Sequence, residues 1–167
     1  ENWAMHPEVL PTYARHHATR EPMPQDLIDK LQAARTFNQG FATTEYVAAC
    51  LLDMNWHTLT APERHDALEF EAAVMDEIGM IPSIVSRYRT PYFAHIWGGE
   101  YAAGYYSYLW AEVLDADAFQ YFKQEGIFDP ELARSYRENI LEPGGSVHPM
   151  ELYVRFRGQE TSVEPLL

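Results

Sequence analysis

The chain has 167 residues, 47% of them apolar and 14% aromatic, enough for one packed domain and outside the compositional range of disorder. Its 25 acidic against 12 basic residues give a formal charge of −13 with no run of Lys or Arg, which argues against nucleic acid and anionic membrane surfaces as partners. The single cysteine excludes an internal disulfide, and no apolar run approaches the ~18 residues of a membrane span.

In chain order, amphipathic helix-length segments alternate with Pro and Gly breaks, and no run shows period-2 alternation, so the expected class is all-α. The opening "ENWAMHPEVL" has no initiating Met and carries apolar residues where termini are usually polar, and "TSVEPLL" ends on two leucines; both ends are expected to be cut from something longer. "PEVLPTYARHH" reads as a short helix burdened by Pro11. "PQDLIDKLQAARTF" sets Leu27, Ile28, Leu31 and Ala34 on one face and closes at "NQG". "TTEYVAACLLDMNWHTL" places Tyr46, Val47, Cys50, Leu51 and Met54 at helical spacing, with Cys50 a buried small hydrophobe. Pro62 resets the chain before "ERHDALEFEAAVMDEIG". Met80 to Pro91, with two prolines and no period, is a loop long enough to carry function. The longest helix is expected from about Glu100 to Glu125, stopped by Gly126. Asp129 then caps "PELARSYRENIL" with Pro130 in its first turn, and a last helix around "PMELYVRF" closes at Gly158. One helical subdomain over residues 1–167 is the expected organisation.

On a helix beginning at Glu100, Tyr101, Tyr105 and Tyr108 project at roughly 0°, 40° and −20°, one narrow stripe, with Tyr106 on another side. Aromatic residues at such spacing most often mean core. Three phenols in a row, however, demand hydrogen-bond partners that Phe or Leu would not. Gly98 and Gly99 allow a tight turn or close approach just before them, and His95 sits across that turn. Together these groups could donate to an amide oxygen as it gains charge. There is no Gly-rich phosphate loop, no G-x-S-x-G, no Cys pair and no H-E-x-x-H. His65 with Glu69 is the nearest local metal pattern and is weak. His16, His17 and His57 read as surface or capping residues.

The run "FAHIWGGEYAAGYYSYLWAEVLDADAF", with "ENWAMHPEVL", "TFNQGF", "LLDMNWHTL" and "ILEPGGS…FRG…EPLL", resembles the C-terminal catalytic half of the thimet-oligopeptidase family of zinc metallopeptidases, with the bacterial peptidyl-dipeptidase branch as the best fit. The likeness covers essentially the whole chain. It implies the helical C-terminal part of a zincin-type catalytic domain whose zinc ligands, an H-E-x-x-H helix and a further glutamate, lie upstream of Glu1. No metal ligand is expected within the chain, and Glu1 carries no metal role. The same resemblance implies that Tyr108, joined by Tyr101, steadies the oxyanion, while His95 and Tyr105 hold the peptide backbone beside Gly98 and Gly99. Three departures stand out: Arg20 replaces a flexible glycine, Glu100 takes a loop position usually glycine, and Gln159 follows Gly158 where a basic residue is frequent.

A dipeptide-releasing enzyme also needs a cation for the substrate's terminal carboxylate. Arg87 and Arg89 are the candidates, because a guanidinium fork matches a carboxylate, but arginines so placed more often serve as solvated surface or helix caps, and endopeptidase action is the alternative. The expected function is therefore the substrate-side portion of a cytoplasmic zinc peptidase of short peptides, inactive alone, partnered by the missing upstream half and prone to self-association. The alternative is a non-catalytic helical module whose aromatic groove binds a peptide or protein.

Overall fold

A computed structural model describes residues 2–61 and 63–167. The expectations for Glu1 and for the break at Pro62 lie outside these. The described residues are helical, with no strand among them beyond one isolated antiparallel bridge between Arg15 and Pro22. The eight α-helices are α1 (Leu10–Tyr13), α2 (Gln25–Ala33), α3 (Gln39–His57), α4 (Ala67–Glu77), α5 (Ala94–Trp97), α6 (Ser107–Glu125), α7 (Pro130–Tyr136) and α8 (Pro149–Arg157), joined by 3-10 turns at Asn2–Met5, Ala34–Thr36 and Thr90–Tyr92.

The backbone forms two compact units, one of residues 2–25 with Leu109–Leu167, the other of Asp26–Tyr108. In the first, Phe122 of α6, Leu132 of α7 and Phe156 of α8 form a core on which Trp3, Phe119, Tyr136 and Ile140 pack. Trp3 donates its indole N–H to the Ile127 carbonyl at 3.0 Å. A polar latch crosses this core: the Tyr153 hydroxyl donates to buried Asp117 at 2.6 Å, and the Arg157 guanidinium lies 4.6 Å over the Tyr121 ring. An apolar cavity of about 580 Å³ in the same unit is walled by Trp3, Trp110, Phe119, Tyr136 and Met150. α7 starts where its signals place it, with Asp129 accepting from the Leu132 N–H at 2.7 Å and Pro130 in the first turn. It continues as a π-helical turn over Arg137–Leu141.

In the second unit, Ala48 and Leu52 of α3 pack on Val74 and Met75 of α4, while Ala49 and Cys50 meet Phe93, Ile96 and Tyr105. Cys50 is buried, and that burial pushes its thiol pKa up. α4 is capped by Asp66, which accepts from the Leu68 and Glu69 N–H groups at 2.9 and 3.0 Å.

Three sequence expectations need correction. The longest helix does not begin at Glu100: residues 102–106 form consecutive turns and α6 starts at Ser107. α3 starts earlier than expected, at Gln39, taking Gly40 into the helix behind Asn38 at φ 56°. His65 precedes α4, so it and Glu69 do not share a helix face; its ring instead meets Phe70 and Trp56 at 5.3 and 6.1 Å. Along α2 only Ile28 is buried, leaving Leu27 and Leu31 exposed.

Candidate functional site

The tyrosine row forms, but by a turn rather than by helical periodicity. α5 ends as Gly98 and Gly99 both donate to the Ala94 carbonyl, at 2.9 and 3.1 Å. A side chain at Gly99 is excluded sterically, since its Cβ would stand 2.7 Å from the His95 carbonyl oxygen. The backbone then doubles back through Ala103 at φ 52° and enters α6. The outcome is a cluster of rings: Tyr101 stacks on Tyr108 with centroids 5.0 Å apart and planes 15° apart, and Tyr105 meets Tyr108 edge-on at 5.3 Å. His95 faces all three, at 6.0 Å from Tyr101, 5.4 Å from Tyr105 and 6.5 Å from Tyr108.

The three phenols occupy different depths. Tyr108 is 38% exposed and Tyr101 half-buried, whereas Tyr105 is 4% exposed, inside the core with Phe93 and Ile96. Burial, then hydrogen bonding to Tyr88, pushes the Tyr105 pKa up to about 12. Tyr108 is also raised, chiefly through its hydrogen bond with Tyr101. Both hydroxyls keep their protons at neutral pH, that of Tyr105 engaged with Tyr88 and that of Tyr108 with Tyr101. Tyr106, which the periodicity sets apart, is 57% exposed and outside these ring contacts.

The two arginines of the "RYR" segment separate clearly. Arg87 is exposed, pairs with Glu45 at 3.2 Å, and sits 5.7 Å over the Tyr88 ring. Tyr88 in turn stacks on Phe93 and meets Tyr105 edge-on. The hydrogen bond to Tyr88 is the main cause that raises the Arg87 pKa, and Tyr105 contributes, which ties this guanidinium to the tyrosine cluster. Arg89 is instead ion-paired through Nε to Glu71 of α4, whose other oxygen accepts from the Thr90 N–H at 2.7 Å. Glu71 is buried, so this pair anchors the loop to α4.

The residues the sequence reading missed lie on α3. Asp53, wholly buried, accepts from the N–H groups of Ala103 and Tyr105, both at 2.9 Å, and its neighbour His57 is paired with it at 2.8 Å. His57, the last residue of α3, is part-buried, and its Nδ1 reaches the Asp53 main-chain carbonyl at 2.9 Å, so the expected capping contact forms with the Asp53 carboxylate added to it. An acid in the apolar stretch "CLLDMNWH", four residues before a histidine, was the available signal.

Chemically, the cluster offers protonated phenols and an imidazole around an accessible edge with a cation nearby, a set suited to holding and polarising a carbonyl. Among the described residues no three His, Cys, Asp or Glu side chains come together so as to hold a metal ion.

Residues 1–167 match the sequence profile of peptidase family M3. The chain is 43% identical to dipeptidyl carboxypeptidase of Salmonella typhimurium and 42% identical to oligopeptidase A of Escherichia coli, in each case over 169 residues covering all of this chain and 25% of the relative. Probable cytosolic oligopeptidase A of Arabidopsis thaliana is 39% identical over 172 residues, again all of this chain and 24% of the relative. The chain spans about a quarter of the length of the curated relatives it matches. It belongs to peptidase family M3.

Proposed function

We propose that this chain supplies the substrate-binding and oxyanion-stabilising face of a cytoplasmic zinc peptidase that hydrolyses short peptides, with the metal and the water-activating glutamate furnished by residues outside it. Tyr108 and Tyr101 are the catalytic residues in this reading. When the scissile carbonyl goes tetrahedral, their hydroxyls donate to the oxygen that gains charge. His95 holds the peptide backbone, and Gly98 and Gly99 let it approach closely; Tyr105, expected from the resemblance to share that task, is sealed in the core with Phe93 and Ile96 and supports the row from behind. Arg87 takes the substrate's terminal carboxylate, while Arg89 keeps the loop in place through Glu71. The observation that carries this reading is the stacked Tyr101–Tyr108 pair beside His95, exposed at Tyr108.

The test is Tyr108→Phe in the full-length protein. Removing one oxyanion donor typically costs about 10²–10³ in kcat, so that loss is expected with KM little changed; an unaltered kcat would overturn the role.

A further inference from the structure

Asp53 is an expensive residue where it stands. Its carboxylate is fully buried on α3, one position from the core residue Leu52, where an aliphatic side chain would pack at no electrostatic cost. What surrounds it explains its presence. One oxygen accepts from the Ala103 N–H and the other from the Tyr105 N–H, both at 2.9 Å. These two amides belong to the turn between Gly99 and α6, and Ala103 holds a left-handed backbone conformation at φ 52°. A third donor is His57 Nδ1, 2.8 Å from the first oxygen and 2.9 Å from the Asp53 carbonyl. With acceptors on both sides, Nδ1 must carry the proton. The His57 ring also lies 5.5 Å from Trp97, immediately before Gly98, and α3 adds a further tie through the Tyr46 hydroxyl, which donates to the Tyr105 carbonyl at 2.7 Å.

We propose that Asp53, oriented by His57, is the positioning group for the tyrosine row: it holds the 99–106 turn in the one backbone path that brings Tyr101 and Tyr108 face to face. The proposal rests on the catalytic reading of those tyrosines, and it acts wholly through them; Asp53 touches no substrate. An asparagine at this position has the right size but offers only one acceptor oxygen, so one of the two amides is left facing an NH2 group.

The experiment uses the full-length protein with Asp53→Asn and His57→Phe, read by hydrogen exchange of the segment 99–106 and by steady-state kinetics on a short peptide. Asp53→Asn is expected to speed exchange in that segment about tenfold or more while α4 stays protected, and to lower kcat about 10- to 100-fold with KM changed less than about threefold. Added to Tyr101→Phe/Tyr108→Phe it should cost less than about threefold more, since both routes end at the same hydroxyls. Unchanged exchange in a folded Asp53→Asn protein overturns the proposal, as does a kcat loss that multiplies in full with the double tyrosine variant. If Tyr108→Phe alone leaves kcat intact, the catalytic reading fails, and the exchange result still decides whether Asp53 sets the turn. Should Asp53→Asn not fold, His57→Phe decides: it keeps a ring against Trp97 but removes the Nδ1 donor, and faster exchange at 99–106 with reduced kcat supports the dyad, while wild-type values for both overturn it.

Discussion

Tyr105 carries its burial as a titration. Its pKa lies near 12 in the fold, against 10.0 for an ordinary phenol. Between those values the unfolded chain gives up the proton and the folded chain keeps it, so the stability present below pH 10 is lost as pH rises towards about 12. Tyr105→Phe removes that ionisation, and the alkaline fall in denaturation midpoint, followed from pH 8 upward, is expected to be shallower. Tyr153, Tyr136 and Cys50, also raised by burial, add to the slope. Arg20 presents a cost of another kind. It adopts φ 63° in a loop closed by its own N–H on the His16 carbonyl at 2.9 Å. A left-handed L-residue costs about 1–2 kcal/mol, and glycine returns about 0.5–1 kcal/mol of that as extra unfolded-state entropy. Arg20→Gly is therefore expected to stabilise by roughly 0.5 kcal/mol, read as a raised Tm. A clear loss would mean that the arginine side chain contributes more than the strain removes.

Among the elements, α7 and α6 contrast in how far sequence alone could reach. The start of α7 is written in adjacent residues, Asp129 as cap and Pro130 after it, and the structure uses both. Asp129→Ala leaves the Leu132 N–H without its acceptor and should cost about 1 kcal/mol in urea unfolding; a change under a few tenths would mean that water replaces the cap. The start of α6 could not be found this way. From Tyr101 to Tyr106 the sequence suits a helix, but Asp53, some fifty positions earlier, takes the N–H groups of Ala103 and Tyr105. A contact so remote leaves no local trace, and it overrides propensity. The three tyrosines converge nonetheless, because a doubled-back turn and a helical stripe both bring residues 101, 105 and 108 together. The depth difference between Tyr105 and Tyr108 was likewise hidden, being set by Phe93 and Ile96 from α5 and its approach. Along α2 the period was legible but its consequence was not: Leu27 and Leu31 stay exposed.

At the scale of the molecule, two opposing quantities decide how the isolated chain behaves. Its net charge of −13 keeps copies apart. Against this stand large apolar side chains left open to solvent, among them Phe37 at 79%, Phe128 at 66% and Trp110 at 54%, the last on the wall of the 580 Å³ cavity. Surfaces of this kind usually meet a partner. Charge repulsion is screened by salt, its range falling from about 30 Å at 0.01 M to about 3 Å at 1 M, whereas apolar contact is not weakened by salt. The isolated 167-residue chain is therefore expected to sediment as a monomer at low ionic strength and to self-associate as salt is added. Trp110→Glu should suppress the association by placing a charge on the cavity wall. A chain that stays monomeric at about 1 M salt would mean that these side chains are ordinary surface and that repulsion was never what held the copies apart.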